Sequence, residues 1–209
     1  MKRYVITLLL LVLGIVFSFQ SVFSQDGWQW LNPLPQGNPL RDVYLFNDTT
    51  AIAVGSAGTV MKTHDKGETW DIQYHINSTT LGLSLVTFAN DNLGITCEYT
   101  NKIYRTTDGG NDWETHTIGD YYFNDICALT EKKWLMSASG KMLRSSDGGL
   151  SWTEVIAEES IYLEGMTVID TNNVLVVGLK DIEGFGQRGI VMTTRDGGLQ
   201  LESTILYDD

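Results

Sequence analysis

Apolar and polar positions alternate in short runs along most of this chain, without the longer period of a helix. In the first unit, LRDVYLFND alternates, TAIAVG is almost continuously apolar, and TVMKT leads into a turn that TWDIQYHI follows. Short runs rich in β-branched and aromatic residues and bounded by Gly, Asn and Asp are typical of strands. No apolar period of 3.6 residues extends over a useful length after residue 24. The pattern therefore predicts an all-β protein.

The same four-strand unit is repeated along the chain. Its third and fourth strands are joined by an Asp-Gly turn, and the four aspartates are spaced by 43, 39 and 49 residues. A repeated antiparallel unit of about 40–45 residues is the blade of a β-propeller. We expect four blades at about 41–77, 83–118, 124–157 and 165–207.

The repeated turn has the pattern S/T-x-D-x-G-x-x-W, and each of its parts has a structural use. The glycine supplies a positive φ, the aspartate and the hydroxyl accept backbone N–H groups, and the tryptophan buries a large ring. We therefore expect these residues to be structural, and we predict no catalytic residue among them. They are Thr63, Asp65, Gly67, Trp70, Thr106, Asp108, Gly110, Trp113, Ser145, Asp147, Gly149 and Trp152, followed by Thr194, Asp196 and Gly198, after which Leu201 replaces the tryptophan.

The N-terminus has the pattern of a secretory signal peptide. Lys2 and Arg3 precede an apolar run from Val5 to Phe19, and small residues follow near position 24. The run is shorter than the ~20 residues of a membrane span, although an uncleaved anchor is the alternative. We expect residues 1–24 to be removed, export by the general secretory route, and a periplasmic, cell-surface or extracellular bacterial protein without stable membrane insertion.

Residues 25–40 predict an additional outer strand, GWQWLN, followed by a loop with all three prolines of the chain. Trp28 precedes Val43 by 15 residues, as Trp70 precedes Leu85. Such a strand usually completes the last blade of a propeller, yet the fourth unit already has its own outer strand, LESTILY. We therefore expect an incomplete, open part of a seven-bladed ring.

Composition narrows the class of partner. The formal net charge is −12 at pH 7, and loss of the basic N-terminus makes it more negative. Such a chain repels nucleic acid and anionic lipid. Cys97 and Cys127 could pair in an exported protein, or both could be small core residues.

The turn pattern is similar to the Asp-box, or bacterial neuraminidase repeat. The sequence between the boxes, over residues 28–207, resembles the propellers related to the photosystem II assembly factor of chloroplasts and cyanobacteria. The resemblance implies a seven-bladed scaffold that holds a protein partner. An arginine-rich face is not evident, because Arg41 matches Leu83, Asn124 and Glu164 in the other units.

Sialidases, which also carry Asp-boxes, need an arginine cluster, a Tyr–Glu nucleophile pair and an acidic Asp. Arg105 and Arg144 stand beside the boxes, where Lys62 stands in the first unit, and we interpret them as solvated cations. Residues 108–112 lack the alternating ligands of a calcium loop. The three histidines, His64, His75 and His116, lack metal-ligand spacing. We predict no metal and no cofactor.

A group of aromatic residues falls in loops on the face opposite the boxes. Exposed aromatics on a rigid scaffold often mark recognition, and burial between blades is the alternative. These residues are Tyr121, Tyr122, Phe123, Tyr162 and Phe185. The sequence thus favours an exported, non-enzymatic scaffold that binds a protein or another macromolecule. The alternative is a glycan-binding or sialidase-like glycoside hydrolase propeller.

Overall fold

The structure, a computed structural model, describes residues 37–73, 82–138, 140–157 and 160–205. These residues form four antiparallel sheets of four strands each, and the strands of every sheet lie in chain order. The prediction of an all-β chain with four four-stranded blades is confirmed. The signal peptide and the tryptophan-containing part of the additional strand lie outside the described residues. Within the described part, no helix is long and apolar enough to cross a bilayer.

The strands of the first two blades are short. Blade 1 contains β1 (Leu40–Leu45), β2 (Ala51–Gly55), a 3-10 turn (Ser56–Gly58), β3 (Thr59–Thr63) and β4 (Asp71–Gln73). Blade 2 contains β5 (Leu83–Phe88), β6 (Gly94–Glu98), β7 (Lys102–Thr106) and β8 (Glu114–Thr117).

Blade 4 differs from blade 3 by its longer first three strands. Blade 3 contains β9 (Phe123–Ala128), β10 (Trp134–Ala138), β11 (Lys141–Ser145) and β12 (Thr153–Ala157). Blade 4 contains β13 (Ile161–Val168), β14 (Val174–Ile182), β15 (Gly186–Thr194) and β16 (Glu202–Ile205). Strand β13 thus begins four residues before the start that we expected for the fourth unit.

The core is divided into three parts, each shared by two consecutive blades. Ile52 and Val54 of blade 1 pack with Leu83 and Phe88 of blade 2. Similar clusters join blades 2 and 3 and blades 3 and 4. The second strand of each of the first three blades is buried along its whole length. In blade 1, this burial on both faces explains the almost continuous apolar run TAIAVG.

The first strands pack in chain order, β1 on β5, β5 on β9 and β9 on β13. They therefore line the inner edge of a curved series of blades, which we call the hub. Among the described strands, extensive packing between sheets joins consecutive blades. This arrangement agrees with an open part of a propeller, and the total of seven blades stays a prediction.

A β-bulge near the start of each first strand sets which residues face the hub. The pairing skips Arg41, Ser84, Asn124 and Glu164 in the four blades. Ser84 is therefore the structural equivalent of Arg41. Matching by sequence alone selected Leu83, which instead pairs with Glu98 and is buried.

Cys97 and Cys127 are both free and buried. Cys97 lies in the core between blades 2 and 3, and Cys127 lies in the core between blades 3 and 4. Burial raises the pKa of each thiol to about 12. Of the two alternatives that the sequence left open, the structure has two small core residues.

Candidate functional site

The Asp-box of blade 2 shows how the turn is held. The Thr106 hydroxyl donates to Asp108 Oδ1 at 2.8 Å and accepts the Gly110 N–H at 2.9 Å. The same carboxylate oxygen accepts the N–H groups of Asn111 and Asp112 at 3.0 Å each. The side chains thus satisfy backbone donors that the tight turn leaves without partners.

The other three boxes repeat the central contacts. In each, the hydroxyl residue donates to the aspartate and accepts the glycine N–H. The hydrogen bond from the Thr69 hydroxyl is the largest cause that lowers the pKa of Asp65 to about 2. The hydrogen bond from the Ser151 hydroxyl does the same for Asp147, with a pKa of about 2. These carboxylates are held ionised by their own turns.

The box tryptophans are half-buried. The indole Nε1 of Trp70, Trp113 and Trp152 donates to the carbonyl of the box glycine at 3.1–3.2 Å. Leu201, at the same place in blade 4, has no donor for this bond. The tryptophan therefore fixes the turn by a hydrogen bond as well as by packing.

The cations beside the boxes join neighbouring blades. Lys62 Nζ donates to the Gly109 carbonyl at 2.8 Å, Arg105 Nε to Gly148 at 2.8 Å, and Arg144 Nε to Gly197 at 3.0 Å. Our interpretation of them as solvated cations is therefore wrong. Each one binds the backbone of the Asp-box in the next blade.

Two inner-strand carboxylates also connect blades. Asp42 accepts the N–H groups of Val43 at 2.8 Å and of Val86, in blade 2, at 2.7 Å. Asp125 accepts the N–H groups of Ile126 at 2.7 Å and of Met166, in blade 4, at 2.6 Å. Their oxygens are engaged with the backbone, which is a structural use. Among the residues that the structure describes, no group of three or more His, Cys, Asp and Glu could hold a metal ion.

The box turns lie on the same face as the loops between the first and second strands. The Gly109 N–H donates to the Asn92 carbonyl at 2.9 Å, and Gly148 and Gly197 make the same bond in blades 3 and 4. We call this the box face. The opposite side, which carries the loops between the second and third strands and the connections between blades, is the loop face.

The predicted aromatic residues of the loop face differ in how much of each side chain is exposed. Phe123 is 1% exposed and packs between blades 2 and 3, so its ring belongs to the core. Tyr162 is 40% exposed on β13, and Phe185 is 69% exposed at the tip of the long β14–β15 hairpin. Tyr122 is 54% exposed.

Tyr121 is already occupied by contacts within the chain. Its hydroxyl donates to Glu154 Oε1 at 2.7 Å, and the Lys141 ammonium lies 5.2 Å from the centre of its ring. Lys141 Nζ is also 2.6 Å from Glu154 Oε1. The lysine is thus held between an aromatic ring and a carboxylate.

Tyr99 is a residue of this face that sequence reasoning missed. It is 51% exposed, and its ring centre lies 5.7 Å from that of Tyr122, with the planes tilted by 52°. The two rings come from the β6–β7 loop and the connection between blades 2 and 3. Tyr99 was hidden because it directly follows the strand-like run GITCE.

Two cavities adjoin this tyrosine pair. One, of about 400 Å³, is lined by Thr100, Asn101, Asp120, Tyr121 and Tyr122. The other, of about 430 Å³, lies at the hub and is lined by the four bulged residues with Leu85, Tyr99 and Phe123. Tyr99 lines the hub cavity and contacts Tyr122, which lines the first cavity, so the pair connects the two.

Solved structures with this architecture include assembly factors and enzymes. YCF48 from Cyanidioschyzon merolae is 16% identical with a TM-score of 0.58, and the match covers 75% of this chain and 50% of that one. A structure titled YCF48 bound to D1 peptide is 16% identical with a TM-score of 0.53, over 81% and 83% of the two chains. The GH74 enzyme of Niastella koreensis is 15% identical with a TM-score of 0.60, over 78% and 30%.

At these identities the likeness shows the fold, and this chain spans half the length of the first relative. No curated protein matches the chain. The family model described as photosynthesis system II assembly factor YCF48 matches residues 76–207, which is more than half of the sequence. The match includes three of the four Asp-boxes. The chain therefore belongs to the family of the photosynthesis system II assembly factor YCF48.

Proposed function

We propose that this protein is an exported, non-enzymatic scaffold that binds a segment of a protein partner on its loop face. The observation that carries the proposal is the exposed Tyr99–Tyr122 pair between two adjoining cavities. Exposed tyrosines give a large contact area at a small cost in side-chain entropy, and they are enriched where proteins bind one another.

Family membership and one solved relative support a protein partner. That relative is titled YCF48 bound to D1 peptide. The carboxylates of the Asp-boxes and of Asp42 and Asp125 are engaged with backbone N–H groups, which supports a scaffold over an enzyme. The N-terminal signal pattern supports export.

A glycan-binding or glycan-cleaving propeller is the second candidate. The likeness to a GH74 enzyme favours it, and exposed tyrosine rings also stack on sugars. Glycoside hydrolysis needs two carboxyl groups on either side of the bond, about 5–9.5 Å apart. In the hub cavity, Glu164 is the acidic residue among the lining residues, which supports binding over cleavage.

A binding comparison tests the proposal. The full chain and a Tyr99→Ser/Tyr122→Ser variant would be measured against an array of immobilised peptides and a glycan array. Leu150→Ser, at an equally exposed residue of a box turn, is the matched control. We expect peptide binding that the double variant loses and the control keeps, with no hydrolysis of sialosides or β-glucans. Hydrolysis, or glycan binding in place of peptide binding, would contradict the proposal.

A further inference from the structure

We infer that Tyr99, Tyr122 and Asp120 form a site for a cationic side chain, a lysine or arginine of the protein segment that the scaffold binds. This inference rests on the proposed function and names the chemistry of the partner. It is carried by the two rings, by the carboxylate beside them, and by the way the same surface already holds a lysine of its own.

The tyrosine pair leaves ring surface accessible to a ligand. Each ring is about half exposed, and the tilt of 52° at a separation of 5.7 Å keeps the rings from stacking face to face. The face of a tyrosine ring is electron-rich and attracts a cation that lies within about 6 Å of its centre. Neither ring has a cation over it among the described residues, whereas Tyr121 and Phe46 each do.

Asp120 supplies the negative charge. It lines the cavity of about 400 Å³ together with Tyr122, Thr100 and Asn101. In the described part of the chain, no hydrogen bond or ion pair engages its carboxylate. A cation over Tyr122 would therefore meet a carboxylate that has no other partner there, and Asn101 and Thr100 could accept its remaining N–H donors.

Tyr121, which is next to Tyr122, already has a cation held between its ring and a carboxylate. Lys141 lies over the ring of Tyr121, 5.2 Å from its centre, and its ammonium is 2.6 Å from Glu154. Tyr122 and Asp120 flank Tyr121 in the sequence and present a ring and a carboxylate without a lysine. The surface thus offers a second place of the kind that Lys141 occupies, and an outside residue would have to fill it.

Charge favours a basic partner over an acidic one. The chain has a formal net charge of −12, so a basic segment is attracted from a distance and an acidic one is repelled. The hub cavity carries both Arg41 and Glu164, so it favours neither sign. The cation is therefore directed to the Asp120 side of the tyrosine pair.

Three labelled peptides of equal length test the inference by fluorescence anisotropy. They share a Gly-Ser background and carry lysine, acetyl-lysine or glutamate at the same positions. Acetylation keeps the aliphatic stem of the lysine side chain and removes its charge. We expect the full chain to bind the lysine peptide at least roughly tenfold more tightly than the acetylated one, with the glutamate peptide weakest.

Variants locate the binding. Tyr122→Ser and Tyr99→Ser should each weaken the lysine peptide by roughly three- to tenfold, as expected for loss of a cation–π contact. Asp120→Asn should weaken it and reduce its salt dependence. Asp112→Asn, an exposed carboxylate of the box face, is the matched charge control and should change little.

The outcomes separate the two proposals. If the lysine and acetyl-lysine peptides bind equally, and the tyrosine variants weaken both, the cation site is overturned and the peptide-binding scaffold stands. If Asp112→Asn weakens binding as much as Asp120→Asn, the attraction is diffuse and the site is overturned. If no peptide binds, the inference fails, and the peptide and glycan arrays then decide the function.

Discussion

Arg105 and Gly148 belong to different blades, and the Nε atom of Arg105 donates a hydrogen bond of 2.8 Å to the carbonyl oxygen of Gly148. Gly148 lies in the Asp-box of blade 3, so the box of one blade receives a cation from the blade before it. The bond is repeated by Lys62 and Arg144 at the other two contacts between described blades. In blade 4 this position is Thr193, which has no charge.

Replacing the cation should weaken the contact between two blades. We expect Arg105→Met to lower the free energy of unfolding by about 1.5–3 kcal/mol, the usual value for a hydrogen bond to a charged group. Methionine keeps much of the aliphatic stem, so the loss reports the bond rather than the packing. Urea denaturation measures the change. Lys132→Met removes an exposed cation without such a bond, and an equal loss there would contradict the role of Arg105.

The box glycine should be sensitive to a single added methyl group. At Gly149, a Cβ would lie 2.4 Å from Ile95 Cδ1 of the preceding blade, and φ is +86°. At Gly184, φ is +79° and a Cβ would meet nothing within 4 Å. We expect Gly184→Ala to cost about 1–2 kcal/mol from backbone strain alone, and Gly149→Ala to cost about 1–3 kcal/mol more from overpacking.

Thermal and urea unfolding of the two glycine variants give this comparison directly. Because both positions have nearly the same φ, the difference between the variants isolates the steric contact between blades 2 and 3. Equal destabilisation would mean that the box turn of blade 3 does not pack closely on Ile95.

Asp147 should make the fold sensitive to acid. Its pKa falls from an ordinary 3.8 to about 2, chiefly because the Ser151 hydroxyl donates to the folded carboxylate. A lowered pKa means that the unfolded chain takes up the proton first. The stabilisation is therefore fully present above about pH 4 and is lost as the pH falls through about 2.

Urea unfolding between pH 5 and pH 2 checks the contribution of Asp147. In Asp147→Asn, the part of the pH dependence due to this residue should disappear. An Asp147→Asn variant with the full slope would show that the carboxylate gains nothing from its turn.

The two cysteines should be inert in the folded protein. Both are buried free thiols whose pKa is raised to about 12, so the reactive thiolate is scarce near neutral pH. We expect no alkylation by iodoacetamide at pH 8 without denaturant and two adducts in guanidinium chloride, as read by intact mass. Native labelling, or a disulfide between Cys97 and Cys127, would contradict the packing between blades.

The blades were predictable because their causes are local. Strand runs, the Asp-Gly turn and the repeat spacing all depend on residues that are close in sequence. The partner of Arg105 is a backbone carbonyl 43 residues away, which no residue type marks. The sequence feature that could have indicated this contact between blades is the cation that precedes three of the four boxes at the same position.

The loop face was harder to predict because side-chain direction depends on where a strand begins. Tyr122 and Phe123 are neighbours, yet one ring is exposed and the other is buried, since β9 starts at Phe123. The bulges shift by one residue the position in blade 2 that is equivalent to Arg41. Ser84 rather than Leu83 therefore faces the hub. Tyr99 follows a buried strand, and nothing in its local sequence indicates a place on the loop face. Its role is recognised only once the connection between blades 2 and 3 is placed beside it.

The bond between a cation and a glycine carbonyl has a consequence for how such a chain can change in evolution. The acceptor is a main-chain carbonyl, so it is present wherever the box turn forms. The donor is a single side chain beside the box of the previous blade. A duplicate of blade 2 or blade 3 would inherit both the donor and the acceptor. Copies can therefore be inserted or exchanged within the series without a new joint having to evolve, while residues at the loop face are free to diverge.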